Sequence, residues 1–186
     1  MIRLILVGFL LQAPSPCLKC HKDFQKLPIR HEVLEDCATC HEDPGDHTFP
    51  TLTPADIRKL CLDCHDVSIQ HPPAEKAVCT TCHDPHASRL RVLLKAPAPE
   101  LCQKCHPSAP PPVFSHAPYE KGSCTACHTP HGSPHKPHLV AAEPETCTTC
   151  HKGVAVRLRQ SHPHPPAEDA CSTCHVAHGS DLPVLL

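Results

Sequence analysis

Apolar residues along this chain fall in short clusters rather than long periodic stretches. The longest run is IRLILVGFLL, Ile2 to Leu11, in which Arg3 is the one charged residue. It is well short of the roughly 20 residues that cross a bilayer. Behind a single arginine it reads as the apolar part of a signal peptide over residues 1–13, with a retained apolar arm as the alternative. No later segment has the length and hydropathy of a membrane span. Three segments carry helix-start signals. TPADIRKLC sets Thr53 as N-cap with Pro54 at the first helical position, and APAPELC and AEPETC lead into Cys102 and Cys147 in the same way. The alternating Arg and Leu of RLRVLLK (Arg89–Lys95) and VRLRQ (Val156–Gln160) read as solvated strand edges. With 24 prolines against 6 glycines, the connections are extended and stiff, and the expected fold is mostly irregular coil with short α-helices.

Composition removes an ordinary core from consideration. The 186 residues include 16 Cys and 19 His but no Trp, one Tyr and four Phe, and the apolar 40% counts the cysteines. Such a chain cannot fold around its own aromatic side chains, so a bound group must supply the core. Lys and Arg are too dispersed, and aromatics too few, for a nucleic-acid surface.

The cysteines identify that group. All fall in C-x-x-C pairs followed at once by histidine: Cys17 with Cys20, Cys37 with Cys40, Cys61 with Cys64, Cys79 with Cys82, Cys102 with Cys105, Cys124 with Cys127, Cys147 with Cys150 and Cys171 with Cys174. A disulfide framework uses varied spacings and leaves the histidines without a role. A zinc ribbon takes two such pairs per metal and needs no histidine after each. C-x-x-C-H is the attachment signature of c-type haem: two thiols on one turn meet the two vinyl groups as thioethers, and the adjacent imidazole faces the iron. Eight copies call for eight covalently bound haems, with His21, His41, His65, His83, His106, His128, His151 and His175 as proximal ligands. Ionised propionates would take the formal charge of -2 to about -10 in the loaded protein.

From Cys17 to about His178 the sequence resembles the multihaem c-type cytochromes with paired C-x-x-C-H motifs. The resemblance implies an exported electron carrier, periplasmic or extracellular, with closely stacked haems and little regular structure. Some related members polymerise into conductive extracellular filaments.

Motif starts are 20, 24, 18, 23, 22, 23 and 24 residues apart, and their contexts alternate. Odd motifs follow a helix-start signal, even motifs a short polar turn. The haem-cored fold is therefore expected as four tandem di-haem repeats: residues 14–60, 61–101, 102–146 and 147–186.

Eleven histidines remain outside the motifs, and eight keep step with the repeat. His31, His71, His116 and His164 lie between the two motifs of a pair, His164 being preferred to His162 because HPPAEDAC matches HPPAEKAVC at His71. His86, His131 and His178 lie three residues past the even motif histidine, and His47 lies six past. Periodic placement makes these eight the distal ligands. A histidine three residues past a proximal ligand cannot reach the far face of the same porphyrin. Exchange within each pair is therefore expected: His86 binds the haem on Cys61 and Cys64, and the histidine between motifs binds the even haem. His135, His138 and His162 have no repeat counterparts and read as surface or propionate contacts.

Two imidazoles per iron leave no open position for a substrate, so the expectation is electron transfer without catalysis. The partners would be redox proteins or terminal electron acceptors. A filament of this same chain, a monomeric periplasmic shuttle and a multihaem reductase with one open haem are the readings to separate.

Overall fold

The computed structural model describes residues 16–41, 52–71, 79–107, 111–160 and 170–186. The signal-peptide expectation at 1–13, together with His47, His162 and His164, lies outside them. The chain divides into two units, one of residues 1–51 with 83–95 and the other of residues 52–82 with 96–186.

Most of the described chain is coil with a few short helices, as the proline content implied. The helices are α1 (Pro54–Leu62), α2 (Ala98–Gln103), α3 (Ala117–Glu120), α4 (Glu145–Thr148) and α5 (Lys152–Arg157). Helix α1 starts where the sequence placed it. Thr53 accepts from the Asp56 N–H while the Asp56 carboxylate accepts from the Thr53 N–H, a reciprocal cap with Pro54 just inside. Helices α1, α2 and α4 carry Cys61, Cys102 and Cys147, whereas Cys37, Cys79, Cys124 and Cys171 each open a three-residue 3-10 turn. None of the described helices is long and apolar enough to cross a membrane.

The two Arg/Leu stretches are not strand edges. Arg91–Leu93 is a tight turn with Val92 and Leu93 at φ 49° and 57°, and Val156 and Arg157 end α5. In both stretches local backbone bonding overrides the alternating pattern.

Strands are two residues long and pair distant segments. In the first unit β1 (Ile29–Arg30) runs antiparallel to β2 (Ala87–Ser88), matching Ile29 with Ser88. In the second, β3 (Phe114–Ser115) pairs in the same sense with β4 (Gly179–Ser180), matching Phe114 with Ser180. Among the described residues the buried apolar side chains are Leu18, Leu34, Ala87 and Leu139. Large apolar side chains such as Val113 and Val184 remain exposed, at 72% and 73%. The described residues have little core of their own, as the scarcity of aromatic residues implied.

Candidate haem centres

Each C-x-x-C-H motif closes on itself through the backbone. In all eight the N–H of the second cysteine donates to the carbonyl of the first. Cys20 bonds to Cys17 at 3.1 Å, Cys40 to Cys37 at 3.3 Å and Cys174 to Cys171 at 3.2 Å. In seven the histidine N–H donates to that same carbonyl, for instance His106 to Cys102 at 2.9 Å. One turn thus sets both sulfurs and the imidazole in a fixed relation using bonds that span four residues. This is why the motif works wherever it occurs in the chain.

The polypeptide covers the attachment cysteines only in part. The second cysteine of the motif is exposed at Cys20, Cys40, Cys64, Cys105, Cys150 and Cys174, and half-buried at Cys82 and Cys127. First cysteines are half-buried from Cys37 onward, with Cys17 exposed. The physical reason is that the first cysteine sits at the start of a turn packed on the chain, while the second ends that turn and points away from it. Cys40 and Cys174, which cap the turns opened by Cys37 and Cys171, therefore offer their sulfurs outward from the polypeptide. Thiols so placed fit attachment to a flat group lying against the motif.

The even motifs share a second device. HDPHASRLRVLL (His83–Leu94), HTPHGSPHKPHL (His128–Leu139) and HVAHGSDLPVLL (His175–Leu186) form equivalent loops. The Nδ1 of His83, His128 and His175 lies 2.8, 3.0 and 3.0 Å from the carbonyls of Val92, Pro137 and Val184. A carbonyl can only accept, so Nδ1 carries the proton and Nε2 keeps its lone pair for a metal. A serine holds each loop. Ser133 donates to the Leu139 carbonyl at 2.6 Å and accepts from the His135 N–H at 3.1 Å. Ser88 and Ser180 do the same with Leu94 and Leu90, and with Leu186 and Leu182. In these loops the equivalent residues Leu93, His138 and Leu185 stand at φ 57°, 60° and 58°, a left-handed backbone that such residues rarely adopt.

The sequence reading stopped at the second histidine and missed this loop. Its signal was the serine two residues further on in all three copies. His135 and His138 do have repeat counterparts, since they occupy the Leu90 and Leu93 positions of the loop. The His138 ring packs edge-on against His71 at 5.6 Å. Ser133→Ala is expected to cost about 1–2 kcal/mol through the two orphaned backbone groups. It should also shift the midpoint potential of the haem on Cys124 and Cys127, which a potentiometric titration would read. Restoration of that potential by Ser133→Thr separates hydrogen bonding from packing.

The histidines between motifs and those after even motifs come together in couples. The His31 N–H donates to the His86 carbonyl at 2.9 Å, His71 to His131 at 3.2 Å and His116 to His178 at 3.2 Å. The residue after each acceptor is small because backbones nearly touch there. Ala87 is 2% exposed, and Gly132 and Gly179 have φ +114° and +150°. The His116 Nδ1 lies 2.8 Å from the Ala177 carbonyl, which again leaves Nε2 free.

Facing these histidines are motif imidazoles. His86 lies opposite His41 with ring centroids 5.9 Å apart, His71 opposite His106 at 5.9 Å, His116 opposite His151 at 6.0 Å and His178 opposite His128 at 6.0 Å. In these four cases the second histidine faces a motif histidine of the neighbouring expected repeat rather than of its own. The reason is long-range pairing, because the strand and backbone bonds that carry the second histidines join segments of neighbouring repeats. Opposite His21 at 6.1 Å is Phe24, which cannot ligate.

Burial is the main cause that holds the His71, His86 and His178 imidazoles below their ordinary pKa, with neighbouring histidines adding to it. All three therefore tend to be neutral, the form that binds metal. Sulfurs of successive motifs are also neighbours. Burial and the adjacent Cys124 raise Cys102; burial and Cys150 raise Cys127; burial and Cys171 push Cys147 up to about 12. Ligand atoms of Glu143, Cys147 and Cys171 lie within 4.8 Å of one another. That carboxylate already accepts from the Ser172 N–H and hydroxyl, and both thiols belong to attachment motifs, so the grouping marks where two motifs abut rather than a separate metal site.

Tandem turns that each present two thiols and an imidazole, with second imidazoles at metal spacing, define a multihaem c-type cytochrome. The family described as "Doubled CXXCH motif" matches residues 31–69, 71–110 and 116–156, and the chain belongs to it. No curated protein matches the chain. The chain accordingly binds c-type haem covalently and belongs with the electron-transfer cytochromes. The matched units begin at His31, His71 and His116, so each joins an even motif to the odd motif that follows. That phase agrees with the ring pairs, since His71 faces His106 inside one matched unit and His116 faces His151 inside the next.

Proposed function

We propose that the protein is an exported octahaem cytochrome that relays single electrons along a row of bis-histidine haems and performs no substrate chemistry. The observation that carries this reading is the set of four imidazole pairs with centroids 5.9 to 6.0 Å apart. Two imidazoles on one metal, each bonded at about 2 Å, have centroids about 6 Å apart. Two direct ring stacks are closer, 4.6 Å for Phe24 on His86 and 4.7 Å for Tyr119 on His178, while Phe24 lies 6.1 Å from His21. The haem, when bound, supplies reversible one-electron exchange at iron. At His41, His106, His128 and His151 the facing histidines would hold the iron from both sides, which excludes substrate and keeps reorganisation small. The chain's cysteines set attachment points side by side, as at Cys147 and Cys171.

Facing imidazoles are described for His41, His106, His128 and His151, while the second ligands expected for the irons of His21 and His175, His47 and His164, lie outside the described residues. They are where the remaining readings separate. In the filament reading copies associate head to tail, since a register that passes from repeat to repeat is open rather than closed. Redox proteins or terminal acceptors would exchange electrons at the ends. In the reductase reading one of these irons stays open.

Intact-mass measurement of the secreted protein should show eight haems, and its ferric spectrum should be low-spin throughout. A stable high-spin haem that binds cyanide or nitrite would replace the carrier with the reductase. Electron microscopy at high concentration should show filaments; particles that remain single would leave the soluble shuttle.

A further inference from the structure

We propose that the haem sites of consecutive repeats interlock, each boundary between repeats sending one histidine forward and one back to become the sixth ligands of irons on either side. This rests on the haem reading above and specifies it iron by iron. At the boundary between the third and fourth repeats, the His116 N–H holds the His178 carbonyl, which ties the two histidines to one short ladder with Phe114 and Ser180. From that ladder His116 faces forward to His151, and His178 faces back to His128. At the boundary between the second and third, His71 bonds to His131 and faces forward to His106. At the first, His86 bonds to His31 and faces back to His41.

The protonation pattern fits a ligand set. Nδ1 of His116 and of His128 is committed to a carbonyl, so each presents Nε2 to the metal. Three of the four pairs have ring planes within 11° to 19° of each other, and the fourth is turned by 63°. Both orientations are compatible with two imidazoles on one iron, because rotation about the metal–nitrogen bond is free of covalent constraint.

The consequence is mechanical as well as electronic. An iron in one repeat bonds to a histidine of the next, so ligation itself fixes the order of the repeats, and a single repeat cut from the chain lacks its own sixth ligands. Ligand exchange at one iron would loosen a boundary rather than a single site.

The test uses the full haem-loaded chain. His71→Met should leave the haem count unchanged by intact mass and raise the potential of one haem, since methionine opposite histidine raises it. Adding Cys102→Ala and Cys105→Ala should remove the raised wave together with one haem. Adding Cys79→Ala and Cys82→Ala should remove a haem and leave the wave. The reverse outcome restores exchange within repeats, and an unshifted set of potentials shows that His71 is not a ligand; either overturns the proposal. A haem count below eight in the unmodified protein points instead to failure of the octahaem reading. If the cysteine variants do not load, proton NMR of reduced His71→Met decides alone. Contacts from the ligated methyl to the His106 ring support the interlock, and contacts to the His83 ring overturn it.

Discussion

Made without haem attachment, this chain is expected to show no cooperative thermal transition, whereas the loaded protein should unfold sharply. The buried apolar side chains of the described residues are three leucines and an alanine. Burying each leucine contributes about 1.5–3 kcal/mol. Ordering each residue of the backbone costs about 1–2 kcal/mol, and the elements that share this cost are two-residue strands and helices of four to nine residues. Short helices do not persist alone in water, and a two-stranded ribbon is marginal at best. The loaded protein differs because covalent thioethers and iron–imidazole bonds join segments far apart in sequence, as metal binding does in other small cores. Calorimetry on protein expressed without the attachment machinery is the measurement. A cooperative endotherm there would show that the polypeptide has a core beyond these residues.

The second large effect is expected at Gly132. A β-carbon there would lie 2.7 Å from the Gln70 β-carbon and 3.0 Å from its backbone nitrogen, at φ +114°. Backbone cannot move aside as a flexible side chain can, so Gly132→Ala should separate the two segments and break the bonds from Gln70 and His71 to the His131 carbonyl, now 2.8 and 3.2 Å. The expected cost is about 2–4 kcal/mol, combining left-handed strain with the lost ladder. Because His71 faces His106, one haem should also turn partly high-spin in the ferric electron paramagnetic resonance spectrum. Gly179→Ala should behave alike, its β-carbon falling 2.8 Å from the Phe114 carbonyl oxygen. Gly153, inside α5 with nothing within 4 Å, is the control. There alanine should be neutral or stabilise by up to about 1 kcal/mol. Equal losses at Gly132 and Gly153 would show that close approach at the repeat boundary is not what the glycine serves.

The C-x-x-C-H turns were legible in the sequence because every bond that shapes the motif spans four residues or fewer. Spacing along the chain is then the same information as geometry in space. How far each thiol is covered was not legible, since the exposure of Cys40 and Cys174 depends on what else packs against their turns. The start of α1 at Thr53 was legible, a cap being a local exchange of hydrogen bonds. The loop after each even motif was equally local and equally readable. Ser88, Ser133 and Ser180 stand at one offset, two residues past the second histidine. RLRVLLK misled because alternation of Arg and Leu suits a strand, while the serine-held turn imposes φ values that no strand has.

Periodicity alone also showed that His71, His86, His116 and His178 form a set, but it could not say which motif histidine each one faces. Spacing in register with the repeat is satisfied whether a histidine serves its own repeat or the next. The tertiary structure alone shows which rings face each other, by pairing Phe114 with Ser180 and His31 with His86 across long stretches of chain. The physical reason is that the attachment turn is closed by bonds a few residues long, whereas the second histidine is positioned by a ladder between distant segments, and a ladder's register is set by where two backbones can approach. Here they approach at Ala87, Gly132 and Gly179, the small residues after three of the second histidines.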